Sequence, residues 1–213
     1  MKYLKLIRFQ NLVAMALTQY LLRYSVLIPT YGKANVLGDL QFALLVFSML
    51  LIAAGGYVIN DYFDIQVDTE NQKEEVLVGR SIKRRVALML HVLFTSTGVL
   101  LGFYIAYKVH FLALGAIMAI AAYMLWDYSL RLKRRLFVGN FIIAKLSAIF
   151  VFSLTAFEVL PKYDLTESRH TLILLCIYAA FAFICSLMHE IIKDLRGVEG
   201  DEKFKIKNVQ KCL

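Results

Sequence analysis

The chain has 213 residues, 60% of them hydrophobic, only two prolines, and a net charge of +8. That apolar share exceeds the soluble norm of roughly 45–50%, which excludes an ordinary soluble domain and makes the bilayer the first solvent to test. Cys176 and Cys185 lie inside an apolar run and Cys212 near the end, which excludes a disulfide framework.

Six segments carry the roughly 20 predominantly apolar residues that a spanning helix needs. They cover about residues 11–29, 40–60, 86–107, 109–126, 137–159 and 170–191. None shows the alternation of a membrane β-strand, so the fold class is all-α, a polytopic transmembrane helical bundle. Lys2, Lys5 and Arg8 precede the first segment, but no small-residue cleavage site follows, so the segment is expected to be retained as a span. Within it Thr18, Gln19 and Tyr20 lead to Arg23, a polar face expected to line a water-filled pocket and contact substrate.

The second segment runs into NDYFDIQVD at residues 60–68. At 100° per residue, and measured from Asn60, Asp64 lies at about 40°, Asp68 at about 80° and Asp61 at about 100°. If the helix continues past Asn60, all four share about a quarter of its circumference. Like charges so placed repel on a bare helix, and a hard, oxygen-liganded cation, Mg2+ above all, reverses the sign. The loop that follows carries LVGRSIKRR at residues 77–85, with Arg80, Lys83, Arg84 and Arg85. Between the fourth and fifth segments comes WDYSLRLKRRLFVGN at residues 126–140, with Tyr128, Arg131, Lys133, Arg134 and Arg135.

The fifth segment holds Lys145 two turns in, expected to face a cavity or a partner, and Glu158 near its outer end, expected at the interface. The sixth runs into HEIIKDLRGVEGD at residues 189–201. On a continuous helix Asp194 falls about 40° and Asp201 about 20° from Glu190. Gly197 and Gly200 are expected to end the helix near Arg196, which would leave Glu190 and Asp194 the firmer pair.

With the N-terminus in the cytoplasm, eighteen Lys and Arg fall on the cytoplasmic side. The opposite side holds four, Lys33, Lys108, Lys162 and Arg169. This positive-inside bias accounts for the surplus charge topologically and excludes nucleic acid as the partner. Both acidic clusters then emerge on the cytoplasmic face of the membrane. Two facing carboxylate clusters would make a two-cation site, and the cations around them are what a pyrophosphate needs. A solute transporter would instead place ionisable groups near the midplane in broken helices.

With these stretches in view, the chain resembles the UbiA superfamily of intramembrane prenyltransferases over nearly its whole length, up to about Lys203. NDYFDIQVD fits the first motif of that family, N-D-x-x-D-x-x-x-D. HEIIKDLRGVEGD is similar to the R-E-I-x-K-D-x-x-D-x-x-G-D form of the branch of digeranylgeranylglyceryl phosphate synthases, with His189 and Gly197 departing from it. YSLRLKR fits a third stretch, Y-S-x-x-L-K-R.

The resemblance implies that Asn60, Asp64, Asp68, Asp194 and Asp201 hold two Mg2+ ions on a prenyl pyrophosphate. Arg80, Tyr128 and Lys133 would match the pyrophosphate pocket. It also implies a prenyltransferase in the cell (inner) membrane. The acceptor would be a lipid, most like a glyceryl phosphate, or alternatively an aromatic quinone precursor. A non-enzymatic member that binds prenyl pyrophosphate without turnover is the other class. The family fold has nine spans, so residues 1–213 are expected to form one transmembrane prenyltransferase-like domain lacking the last three helices.

Overall fold

The structure, a computed structural model, describes residues 1–32, 37–70, 77–134, 137–161 and 169–203; along 66–70 and 193–203, and at Arg134, it describes backbone alone. A short helix α1 (Lys2–Leu6) precedes α2 (Phe9–Leu22), a π-helical turn (Arg23–Leu27) and α3 (Ile28–Tyr31), which together make the first span. Then follow α4 (Asp39–Glu70), α5 (Arg84–Lys108), α6 (Ala113–Leu130), a 3-10 turn (Leu132–Arg134), α7 (Val138–Val159) and α8 (Arg169–Lys203). Among the described residues six helices are long and apolar enough to cross a membrane, at the positions their apolar runs predict. The chain is an integral membrane protein.

α4 is the central post. It packs most extensively against α5 and also meets α6 and α2, while α7 pairs chiefly with α8. In lipid, helices gain little from hydrophobic burial against one another, so close contact between small residues and interhelical hydrogen bonds hold them together. A Cβ added at Gly98 of α5 would lie 2.8 Å from both Ile52 Cγ1 and the Ser48 carbonyl of α4. At the same crossing the Ser48 hydroxyl donates to the Gly98 carbonyl at 2.6 Å. One level nearer the acidic end, His91 Nδ1 pairs with the Gly55 carbonyl at 2.9 Å.

α4 continues helically through Asn60, Asp64 and Asp68, as the shared-face reading requires. α8 corrects an expectation: it runs through Gly197 and Gly200 to Lys203. A glycine in a helix costs only about 1 kcal/mol relative to Ala, and no proline follows to stop the chain.

Arg23 corrects another, and Glu158 is its partner. Arg23 does not line a water-filled pocket; it is fully buried where the first span meets the start of α4 and the end of α7. Its Nη2 donates to the Leu37 carbonyl at 2.5 Å and to Asp39 Oδ1 at 3.1 Å. Its Nη1 lies 3.4 Å from Glu158 Oε1, and the guanidinium sits 4.2 Å from the centre of the Phe42 ring. Glu158 is 2% exposed, its carboxylate turned into the protein, and its Oε2 accepts the Leu37 N–H at 2.5 Å. A charge at that depth is tolerated only when paired and hydrogen-bonded. Partners for Arg23 come from two other segments. Of its polar neighbours in sequence, Gln19 donates to the Phe150 carbonyl at 2.8 Å and Tyr20 packs edge-on against Phe42.

Candidate active site

Below that sealed end the helices part. A cavity of about 440 Å3 lies between α2, α4, α6 and α7 and is lined mostly by apolar side chains, among them Met49, Leu125 and Phe150. Asn11, Thr18 and Ser147 add a few polar groups, and Tyr57 lines the cavity one turn before the acidic motif. Its apolar lining with sparse polar groups is the usual form of a small-molecule site. Thr18 thus fulfils part of the polar-face reading of the first span.

Past Tyr57, α4 presents its acidic face. Asn60 Nδ2 donates to Asp64 Oδ2 at 3.1 Å, the i,i+4 pairing that the helix period predicts. Lys133 reaches across from the 3-10 turn, with Nζ 2.5 Å from Asp64 Oδ1 and 3.5 Å from both Asn60 Oδ1 and the Asn60 carbonyl. The side chains of Lys133 and Asp64 are 13% and 25% exposed, so the pair is shielded but reachable. The face offers oxygen donors, and the Lys133 ammonium is held against them. Asn60 and Asp64 therefore fit Mg2+, which takes carboxylate and carbonyl oxygens and keeps water on its other positions.

Gly139, which the sequence reading passed over, lets Lys133 stand there. A Cβ at this position would lie 3.1 Å from Lys133 Cα and 3.3 Å from Tyr128 Cε2. The absent side chain lets the first turn of α7 press against both residues. Tyr128, half-buried near the end of α6, thus shares the base of the turn with Lys133.

The structure brings Asn60, Asp64, Lys133 and Tyr128 to one place. Arg80 is exposed on a tight turn between α4 and α5, where Gly79 (φ +94°) donates its N–H to the Ile82 carbonyl and packs near Ile65. Asp68 stands on the α4 backbone, and Asp194 and Asp201 on that of α8, but their side chains lie outside the described residues. Among the described residues no three His, Cys, Asp or Glu side chains converge. Lys145 does not join the site. It is exposed on the outer face of α7 and is not part of the cavity wall, because α7 turns Leu146, Ser147 and Phe150 inward instead.

The sequence reading also left Arg8 among the anchoring cations. It lies 3.5 Å from Asp61 Oδ1 and 4.8 Å from the centre of the Tyr57 ring, at the joint between α1 and α2.

Comparison with known proteins identifies the family. The sequence profile of the UbiA prenyltransferase family matches residues 14–210. The digeranylgeranylglyceryl phosphate synthase of Methanothermobacter thermautotrophicus is 30% identical over 202 residues, covering 93% of this chain and 62% of that protein. The enzyme of the same name from Sulfolobus acidocaldarius is 30% identical over 201 residues, 94% of this chain and 65% of that one. A solved chain from work on the biosynthesis of digeranylgeranylglyceryl phosphate synthase in membranes superposes with a TM-score of 0.65 at 26% identity, over 95% of this chain and 64% of its own length. The chain thus spans slightly less than two thirds of these relatives.

Proposed function

We propose, because the chain belongs to the UbiA prenyltransferase family, that it moves a geranylgeranyl-like group from its pyrophosphate to a glyceryl phosphate lipid. The relatives named above favour a lipid acceptor over an aromatic one. The observation that carries the reading is the Asn60–Asp64–Lys133 cluster, one turn of α4 beyond Tyr57 in the wall of an apolar cavity. One end suits a charged pyrophosphate and the other an isoprenoid tail.

Asn60 and Asp64, with Asp68, Asp194 and Asp201, would hold Mg2+. When bound, the metal neutralises phosphate oxygens and stabilises a leaving pyrophosphate. Lys133 and Arg80 supply further positive charge for the phosphates, and Tyr128 borders the same pocket. The bond between the allylic carbon and the pyrophosphate oxygen breaks, and the pyrophosphate leaves with the electron pair. The acceptor oxygen then bonds to that carbon and gives up its proton. Cavity side chains keep water from the electron-deficient carbon, so that the acceptor and not water is alkylated. The positive-inside bias supports a reading with this chemistry, and the N-terminus, on the cytoplasmic face of the cell membrane.

Pyrophosphate release from geranylgeranyl pyrophosphate, followed in lipid with a glyceryl phosphate lipid present, tests the reading. Mg2+-dependent release with a prenylated lipid as product is the expected outcome. Substrate binding without release would leave a binding protein in place of a transferase.

A further inference from the structure

Besides the main core, the described residues form a second, smaller one at the acidic end of the bundle. It consists of Leu6 of α1, Val58 and Ile65 of α4, Val78 and Ile82 of the Arg80 turn, and Ala87 of α5. Leu6 is fully buried there. A five-residue helix has no stability of its own in water, so α1 is helical because this core takes up Leu6. A polar tie reinforces the contact, Lys2 Nζ donating to the Ser81 carbonyl at 3.2 Å.

The chain then turns sharply into the first span. Arg8 makes the corner with φ 50°, a left-handed conformation that non-glycine residues seldom hold without support. Its side chain is supported at the Asp61 carboxylate and the Tyr57 ring. Arg8 and α1 therefore touch both halves of the neighbourhood, the acidic helix at Asp61, Val58 and Ile65, and the basic turn at Val78, Ser81 and Ile82.

We propose that α1 and Arg8 form a latch that holds the acidic end of α4 and the turn bearing Arg80 at a set spacing, with Asp61 as the anchor of the latch and not a metal ligand. Leu6, Arg8 and Asp61 are then positioning residues. Its consequence for pyrophosphate rests on the proposed function; the latch itself does not.

Hydrogen exchange of the full-length protein in lipid tests it at Gly79, Ser81 and Ile82, whose amides are bonded within the turn. Leu6→Ser is expected to speed exchange at these amides by about tenfold or more, with the centres of α5 and α6 unchanged and Leu6→Met restoring protection. Unchanged exchange in Leu6→Ser overturns the latch. Should Leu6→Ser loosen the whole bundle, Lys2→Met decides. A rise of about threefold confined to the turn, the scale of one modest hydrogen bond, supports the proposal, and no rise overturns it.

Mg2+-dependent binding of inorganic pyrophosphate, measured on the same variants, is expected to weaken about tenfold in Leu6→Ser, matching the loss of turn protection, and to hold in Leu6→Met. If the wild-type chain binds no pyrophosphate, the functional reading falls, and exchange alone decides the latch. Asp61→Asn should speed exchange in the turn and keep Mg2+-dependent binding. Loss of that binding as complete as in Asp64→Asn overturns the assignment of Asp61 as anchor.

Discussion

The two ends of the bundle use the same side-chain chemistry to opposite effect. At one end Arg23, Glu158 and Asp39 meet in a network whose central pair is almost completely buried. At the acidic end Asn60, Asp64 and Lys133 meet at a partly exposed surface, one helical turn beyond the cavity-lining Tyr57. The charges around Arg23 are directed at one another and at the backbone of residue 37. Asp64 and Lys133 are partly exposed and so reachable by a ligand. A fully buried ion pair whose partners are other protein groups is thus a poor guide to function, whereas a partly exposed one near a cavity is a good guide.

That contrast can be broken from either end. The largest effect is expected at Asp64. Asp64→Ala should weaken Mg2+-dependent pyrophosphate binding at least about 100-fold, within the 2–5 kcal/mol scale of removing one partner of a charged contact, while the unfolding midpoint moves little. Isothermal titration together with a thermal melt in lipid checks both halves.

At the Arg23 end the balance should reverse. Arg23→Met leaves Glu158 buried without its cation, and about 3–5 kcal/mol of stability should be lost with pyrophosphate affinity retained in whatever protein stays folded. Arg23→Met combined with Glu158→Leu should recover part of the loss, since removing both charges also removes their desolvation cost. A double variant no more stable than the single one would refute that account.

Midway between the ends, Gly98→Ala forces a methyl group against Ile52 and the Ser48 carbonyl and should cost about 1–3 kcal/mol, visible as a lowered melting temperature. Least affected should be Lys145→Met. Its side chain lies outside the cavity wall, so pyrophosphate affinity is expected to stay within about twofold, the range of surface changes. A larger drop would return Lys145 to the site.

The spans were legible because length and apolarity are local properties, and the Asn60–Asp64 face because the helical period is too. Lys133 was legible through its stretch, YSLRLKR, though not the carboxylate it reaches. Arg23 was misplaced for the same reason. A charge in an apolar run announces a partner without naming it, and Glu158 lies 135 positions away. Arg8 and Leu6 were hidden behind a sufficient explanation, since a basic residue before a first span is already accounted for by topology. The glycines of α8 misled because their cost is real but small, and the rest of the helix outweighs it. Gly139 gave no signal at all, as its role is defined by what its absent side chain would strike.

The length of α4 has a mechanical consequence. Thirty-two residues at 1.5 Å each make a rod of about 48 Å, against a hydrocarbon core of about 30 Å. Its acidic turns thus form the tip of a rod rooted in the packing of Ser48 and Gly55, and angular phase passes along it without loss. One residue inserted just before Asn60 would lift the tip by about 1.5 Å and swing every donor about 100° away from Lys133, whereas seven would bring the donors back to within about 20° of their old bearing but about 10 Å higher. The site is therefore indexed in two coordinates, height and bearing, and a single-residue insertion or deletion anywhere between the packed middle and the tip disturbs both at once.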